Sequence, residues 1–239
     1  MNINTSPNQP NTGTQRTGDV IKGLLKSWAF VAVLAVILFL SAGRLDWGMA
    51  WVYLGLVTLS TLILSWLMPA ELIEERSGLP AGAKKWDITL TLWMARGGPI
   101  VTMTLIGLDE RYGWSPSLPP ALQLGATLLL VAALALTDWA VLTNKFFSGL
   151  VRIQTERGHT VISDGPYNHM RHPGYAGAIL YELATPVMLG SLWAMFSTAL
   201  TVSVIILRTA LEDRTLQREL DGYRAYTRQV RYRLFPGLW

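Results

Sequence analysis

The chain has 239 residues, of which 51% are hydrophobic and only 15% charged, against about 25% charged in a soluble domain. With a mean hydropathy of +0.31, this excludes both an ordinary soluble enzyme and a disordered chain. There is no cysteine, so disulfides, a thiolate nucleophile and Cys-ligated zinc are excluded as well.

Residues 1–18 are rich in Asn, Thr, Pro, Gln and Gly, and residues 1–23 are expected to form a disordered cytoplasmic tail. Four long apolar runs follow, at residues 28–42, 47–68, 88–108 and 118–142. A bilayer core of about 30 Å needs roughly 20 helical residues. The first run reaches that length once Leu24 and Leu25 are included. It is not expected to be a cleaved leader, because more than 20 residues precede it and Ser41-Ala42-Gly43 is a poor cleavage site. Two shorter runs, 175–189 and 192–207, are separated by Gly190 and Ser191 and read as a helical hairpin.

With the N-terminus inside, seventeen of the 20 Lys and Arg fall on the inner side, Arg44 and Arg111 fall outside, and Arg96 lies within a span. This asymmetry favours cytoplasmic N- and C-termini in a multi-pass protein of a bacterial inner membrane or the endoplasmic reticulum. The 143–174 loop and the C-terminal segment then share the cytoplasmic face. The basic residues accompany the ends of apolar spans, and no zinc-finger, RNP-like or Walker pattern is present, so no nucleic-acid partner is expected.

Three ionisable residues fall in or beside apolar runs: Arg96, Asp138 and Glu182. They either pair between helices, as Arg96 with Asp138, or line a pocket. Gly97-Gly98-Pro99 is expected to kink its helix or admit a close neighbour.

The segment 144–177 holds all three histidines, His159, His169 and His172, with turns at Gly165-Pro166 and Pro173-Gly174. Pro173 suits the first turn of a helix. The free N–H groups of that helix start, beside Arg171, suit a carboxylate. His169 and His172 are three apart, but Pro173 breaks a helix through both and no tetrahedral set is complete, so no metal is expected. Farther on, Leu216, Leu220, Tyr223 and Val230 form a helical stripe. Glu212 and Asp213 are neighbours about 100° apart on a helix, so one can face a pocket while the other pairs with Arg208 or another arginine.

Gly165-Pro166-Tyr167, followed by Arg171-His172-Pro173-Gly174-Tyr175-Ala176-Gly177, resembles the GPY…RHPxYxG signature of the isoprenylcysteine carboxyl methyltransferase family, which membrane phospholipid methyltransferases share. The acidic pair Glu212-Asp213, then Gly222-Tyr223, Tyr226 and the 233–239 ending, are similar to the family's C-terminal pattern. Asn144, Phe147, Ser148 and Ile153-Gln154 look like its lead-in. The likeness covers about residues 140–239. The chain departs in having Asp213 where Glu is usual and Gly174 where a larger residue is common.

The resemblance implies a membrane methyltransferase that takes S-adenosylmethionine on the cytoplasmic side and a lipophilic or lipid-modified acceptor from the bilayer. By the resemblance, the acceptor would be an isoprenyl-type carboxyl group or another lipid. By the resemblance, Arg171, His172, Pro173 and Tyr175 would line the cofactor pocket, Gly177 would allow close packing, and Gln154, His159, Tyr167, Glu212 and Asp213 would complete it. Arg171, Glu212 and Arg233 would serve the reaction. The alternatives are an NADPH-dependent lipid or sterol-type reductase, disfavoured by Gly174 and Ala178, and a non-catalytic binding protein. The expected fold is an all-α integral membrane bundle of five to six transmembrane helices. Residues 24–142 would form a four-helix region, and 143–239 a cofactor-binding region with the helical hairpin and a cytoplasmic cap. No oligomeric state is legible.

Overall fold

The computed structural model describes residues 13–78 and 82–239. Among them there is no β-strand. The helices are α1 (Gly13–Ala42), α2 (Gly48–Leu67), α3 (Ala70–Ser77), α4 (Lys85–Leu92), α5 (Gly98–Tyr112), α6 (Pro120–Thr143), α7 (Pro173–Met188), α8 (Met195–Glu219) and α9 (Tyr223–Gln229).

Among the described residues, four helices are long and apolar enough to cross a membrane: the 17–42 part of α1, α2, α6 and α8. The run at 88–108 is also helical, but α4 and α5 are joined by a π turn, Trp93–Gly97. The local cause is Pro99, which has no N–H to donate to the Ala95 carbonyl four residues back. The ladder slips to Gly98 N–H bonding Trp93 O, and the Arg96 guanidinium takes the freed Ala95 oxygen at 3.1 Å. Gly98 also lets α8 close in, since a Cβ there would stand 3.2 Å from Thr201 Cγ2.

The hairpin forms as expected. α7 starts at Pro173 and ends at Met188, Gly190 takes φ +80°, and α8 follows. The hairpin turn is tied across the bundle, because buried Asp109 accepts from Ser115 and Ser191 hydroxyls. The first helix corrects the expected tail. α1 begins at Gly13, so residues 13–23 are helical, because once a helix is nucleated each further residue adds a hydrogen bond and polar side chains do not stop it. Residues 1–12 of the expected tail lie outside the described residues. The basic C-terminal stretch is likewise two helices. α8 runs to Glu219, Gly222 turns the chain at φ +80°, and α9 packs back.

The membrane core is assembled from Leu38 of α1, Tyr53 of α2, Ile106 of α5, Leu130 of α6 and Met188 of α7, all at most 1% exposed. Small residues bring helices together. A Cβ at Gly107 would meet Leu38 O at 2.6 Å, and one at Gly177 would meet Ala133 O at 2.9 Å. Beyond one end of the bundle, Leu220, Tyr223, Tyr226 and Val230 bury against Ile153, Val161 and Leu216. α3, residues 144–172 and the C-terminus gather at this end. Glu75 of α3 binds Arg152 and Ser148, and Lys84 binds Glu219.

Candidate functional site

The site is organised around one carboxylate. Asp213 is fully buried. Its Oδ1 accepts from Arg171 Nε at 2.8 Å and Tyr223 O–H at 3.1 Å, with His172 Nε2 at 3.4 Å. Its Oδ2 accepts from Arg233 Nε at 2.9 Å, Gln217 Nε2 at 2.8 Å and Arg171 Nη2 at 3.2 Å. A buried carboxylate needs this many donors to offset lost hydration. Arg171 spends both Nη1 donors on the Val230 and Arg231 carbonyls at 2.9 Å. The backbone adds a short extended pairing, Arg171 N to Tyr232 O and His172 N to Arg233 O, both 2.9 Å. The motif at the start of α7 is thereby fastened to the C-terminal segment.

Glu212, one residue earlier, points elsewhere. It lines a cavity of about 750 Å³ and accepts from Tyr175 O–H at 2.5 Å. Among the described residues no other donor reaches it, which leaves most of its acceptor capacity open. At this end the cavity is also lined by His159, Tyr167, Arg171, His172, Tyr175, Tyr223 and Tyr226. His172 and Tyr175 stack at 5.8 Å. Burial raises the Tyr167 and Tyr226 phenols, and burial with the Asp213 charge raises that of Tyr223, so all three stay protonated donors. The cavity continues between Phe30 and Leu34 of α1, Val57 and Leu64 of α2, and Ile88 and Leu92 of α4. A polar mouth therefore joins an apolar slot.

The loop before α7 is held by its own hydrogen bonds. Gln154 is fully buried, donates to Phe146 O at 2.8 Å and accepts from Arg157 Nη1 at 2.5 Å. The Gln154 N–H donates to His159 Nδ1 at 3.2 Å, and the His159 ring lies 4.5 Å from Phe146. Burial, then the Arg152 and Arg157 charges, lower His159 to about 4, so the imidazole is neutral at pH 7.

The residues singled out by sequence thus divide. His159, Tyr167, Arg171, His172, Tyr175 and Glu212 line the cavity. Gln154, Pro173, Gly177, Asp213 and Arg233 stand behind it. Pro173 opens α7, and Gly177 seats α7 on α6. The start of α7 is covered by Phe147, whose ring atoms lie 2.8 and 2.9 Å from where a Gly174 Cβ would be. The pairing of Arg96 with Asp138 does not form. Arg96 lies over the Phe30 ring at 4.1 Å, and Asp138 accepts from Ser60 at 2.9 and 3.0 Å. Sequence reasoning missed two residues. Asp87 is the buried partner of Arg208. Arg76 lines the cavity 5.1 Å over the Phe147 ring, and among the described residues no carboxylate pairs with it. Neither carries a local signal, because each is defined by neighbours distant in sequence. Among the described residues no His, Asp and Glu cluster suits a metal ion.

Comparison with known proteins supports the motif. Residues 125–218 match the model of the isoprenylcysteine carboxyl methyltransferase (ICMT) family. The chain is 29% identical over 94 residues to a probable protein-S-isoprenylcysteine O-methyltransferase of Oryza sativa subsp. indica, covering 35% of this chain and 49% of that protein. It is 29% identical over 65 residues to protein-S-isoprenylcysteine O-methyltransferase B of Arabidopsis thaliana, covering 27% and 33%. It is 31% identical over 71 residues to the protein-S-isoprenylcysteine O-methyltransferase of Schizosaccharomyces pombe, covering 26% and 30%. The chain spans less than half the length of these curated relatives.

Proposed function

On the premise that residues 125–218 are ICMT-family sequence, we propose that this protein is an integral-membrane, S-adenosylmethionine-dependent methyltransferase acting on the carboxyl group of an isoprenyl-type acceptor. The observation that carries it is the continuity of one cavity, from the Glu212–Tyr175 mouth to the apolar slot among α1, α2 and α4. A water-soluble donor and a lipid chain need such a shared space.

The residues present fit the donor. The open oxygen of Glu212 suits an ammonium or ribose hydroxyls, and the faces of Tyr167 and Tyr175 suit a sulfonium. S-adenosylmethionine supplies an already activated methyl group. The chain's contribution is binding and alignment, for which roughly 7–11 kcal/mol is available from proximity alone. An acceptor carboxylate with a pKa near ~4 is ionised at pH 7, so no general base is required. Arg76 lines the same cavity without a carboxylate partner among the described residues and suits that acceptor charge. Arg171 and Arg233 act through Asp213 as positioning residues, and Glu212 touches the donor.

In this reading residues 24–142 form the membrane bundle, 143–239 form the donor-binding region, and both termini face the cytoplasm. The 88–108 run and the hairpin bring the crossings to five or six. The gathering of Lys84, Arg152, Arg171 and Arg208 at one end, with Arg44 and Glu110 paired away from them, supports that orientation.

The test uses the full chain in detergent. Calorimetry with S-adenosylmethionine should show binding that Glu212→Gln weakens, and labelled methyl should pass to an S-farnesyl cysteine carboxylate. Absence of both sinks the reading.

A further inference from the structure

The face of α7 that lines the cavity carries Gly174, Tyr175, Ala178, Tyr181 and Glu182. Glu182 lies seven residues beyond Tyr175, about 10 Å farther along the helix and away from the Glu212 mouth. It is 7% exposed. Its backbone oxygen accepts from Thr198 O–H at 3.3 Å, but among the described residues nothing donates to its carboxyl group. The hydroxyls of Tyr53 and Tyr181, which flank it, bond to each other. Arg96 is engaged with Phe30 and Ala95 O. Buried polar groups normally have partners, and an intramembrane acid without one, on a cavity wall, marks a ligand contact.

We propose that Glu182 is a specificity residue of the acceptor slot, taking a hydrogen bond from a hydroxyl or ammonium carried about 10 Å along the acceptor chain from the methylated end. This rests on the proposed methyl transfer for the direction in which the acceptor lies. A slot lined only by apolar side chains discriminates weakly, whereas one holding a buried acceptor group favours the chain that satisfies it.

The test uses the full chain in detergent and three probes: S-farnesylthioacetate, its analogue with a hydroxyl on the second isoprene unit, and the analogue with an amine there. Binding is read by thermal shift and competition, and turnover by labelled methyl. The wild type should bind a polar-chain probe at least tenfold more tightly than the plain one. Glu182→Leu should invert that ranking, and Glu182→Gln should keep the hydroxyl preference while losing any preference for the amine. Equal rankings in wild type and Glu182→Leu overturn the inference, as does a wild type that binds neither polar probe. Glu182-dependent binding without methyl transfer sinks the proposed reaction alone. Methyl transfer with identical kcat/KM for all three probes sinks the role of Glu182 alone.

Discussion

Arg208 meets Asp87 through both carboxylate oxygens, Nε to Oδ1 at 2.5 Å and Nη2 to Oδ2 at 2.9 Å, across 121 positions of sequence. Asp87 also accepts the Val151 N–H at 2.7 Å, and Arg208 donates to Gly149 O at 2.9 Å. The pair therefore joins the base of α4, the loop after α6 and the middle of α8. Arg208 lies 5.2 Å over the Tyr175 ring, so the same contact supports the cavity wall. Asp87→Asn leaves a buried guanidinium undercompensated and should cost about 3–5 kcal/mol. Thermal denaturation in detergent checks this, and a variant as stable as the wild type would show that the pair contributes little.

The two neighbouring acids should separate cleanly. Glu212→Gln removes a charge that faces the cavity and leaves the Asp213 cluster whole. It should retain stability and lose roughly 10–100-fold in donor affinity, the value of a hydrogen bond to a charged group. Asp213→Asn should instead lower the melting temperature, because Arg171 and Arg233 lose the buried charge that compensates them and the cluster loses one of its two accepting oxygens. Paired measurements of melting and S-adenosylmethionine binding on both variants check the contrast. Equal behaviour would contradict it.

His159 predicts a pH dependence. Its pKa falls from the ordinary 6.5 to about 4 in the fold, through burial and then the Arg152 and Arg157 charges. Between those values the unfolded chain binds more protons than the folded one. The contribution is therefore fully present above about pH 6.5 and is lost as pH falls toward 4, by roughly 1–3 kcal/mol. Protonation also removes Nδ1 as acceptor for the Gln154 N–H. Melting temperatures measured from pH 7.5 to 4.5 should fall less steeply in His159→Gln than in the wild type.

The two glycines of the motif should differ. At Gly177 an added Cβ would stand 2.9 Å from Ala133 O and 3.1 Å from Thr137 N, both backbone atoms of α6 that cannot yield cheaply. At Gly174 the close contact would be with the edge of the Phe147 side chain, which can turn aside, while the Ala140 Cβ stands at an ordinary 3.9 Å. Gly177→Ala should cost about 1–3 kcal/mol as overpacking, and Gly174→Ala less. Comparing their melting temperatures against the wild type checks the order.

The apolar runs were legible because the bilayer imposes length and composition directly on each helix. The Pro173 helix start and the Gly190 turn were legible because their backbone chemistry is local. Residues 165–177 and 212–213 marked the region of the cavity for the same reason, since each motif is contiguous. Three particulars were not legible. Gln154 appeared as a cavity residue and is a fully buried tie between Phe146 and Arg157. Arg96 was open between pairing with Asp138 and lining a pocket, and Pro99 and the π turn direct it to Ala95 O and Phe30 on the cavity wall. Asp213 was indistinguishable from Glu212 until the helix rotation of α8 placed one behind the wall and the other in it.

By itself, then, the sequence determined that the chain is helical, apolar and built of runs long enough to span a membrane, because these depend on short-range covalent geometry and on hydrophobicity. Only the tertiary structure decided which carboxylate is open, which arginines are spent and where the apolar part of the cavity runs. Those outcomes depend on pairings such as Arg171 with Asp213 and Arg208 with Asp87, whose energy exists only when distant segments exclude water together.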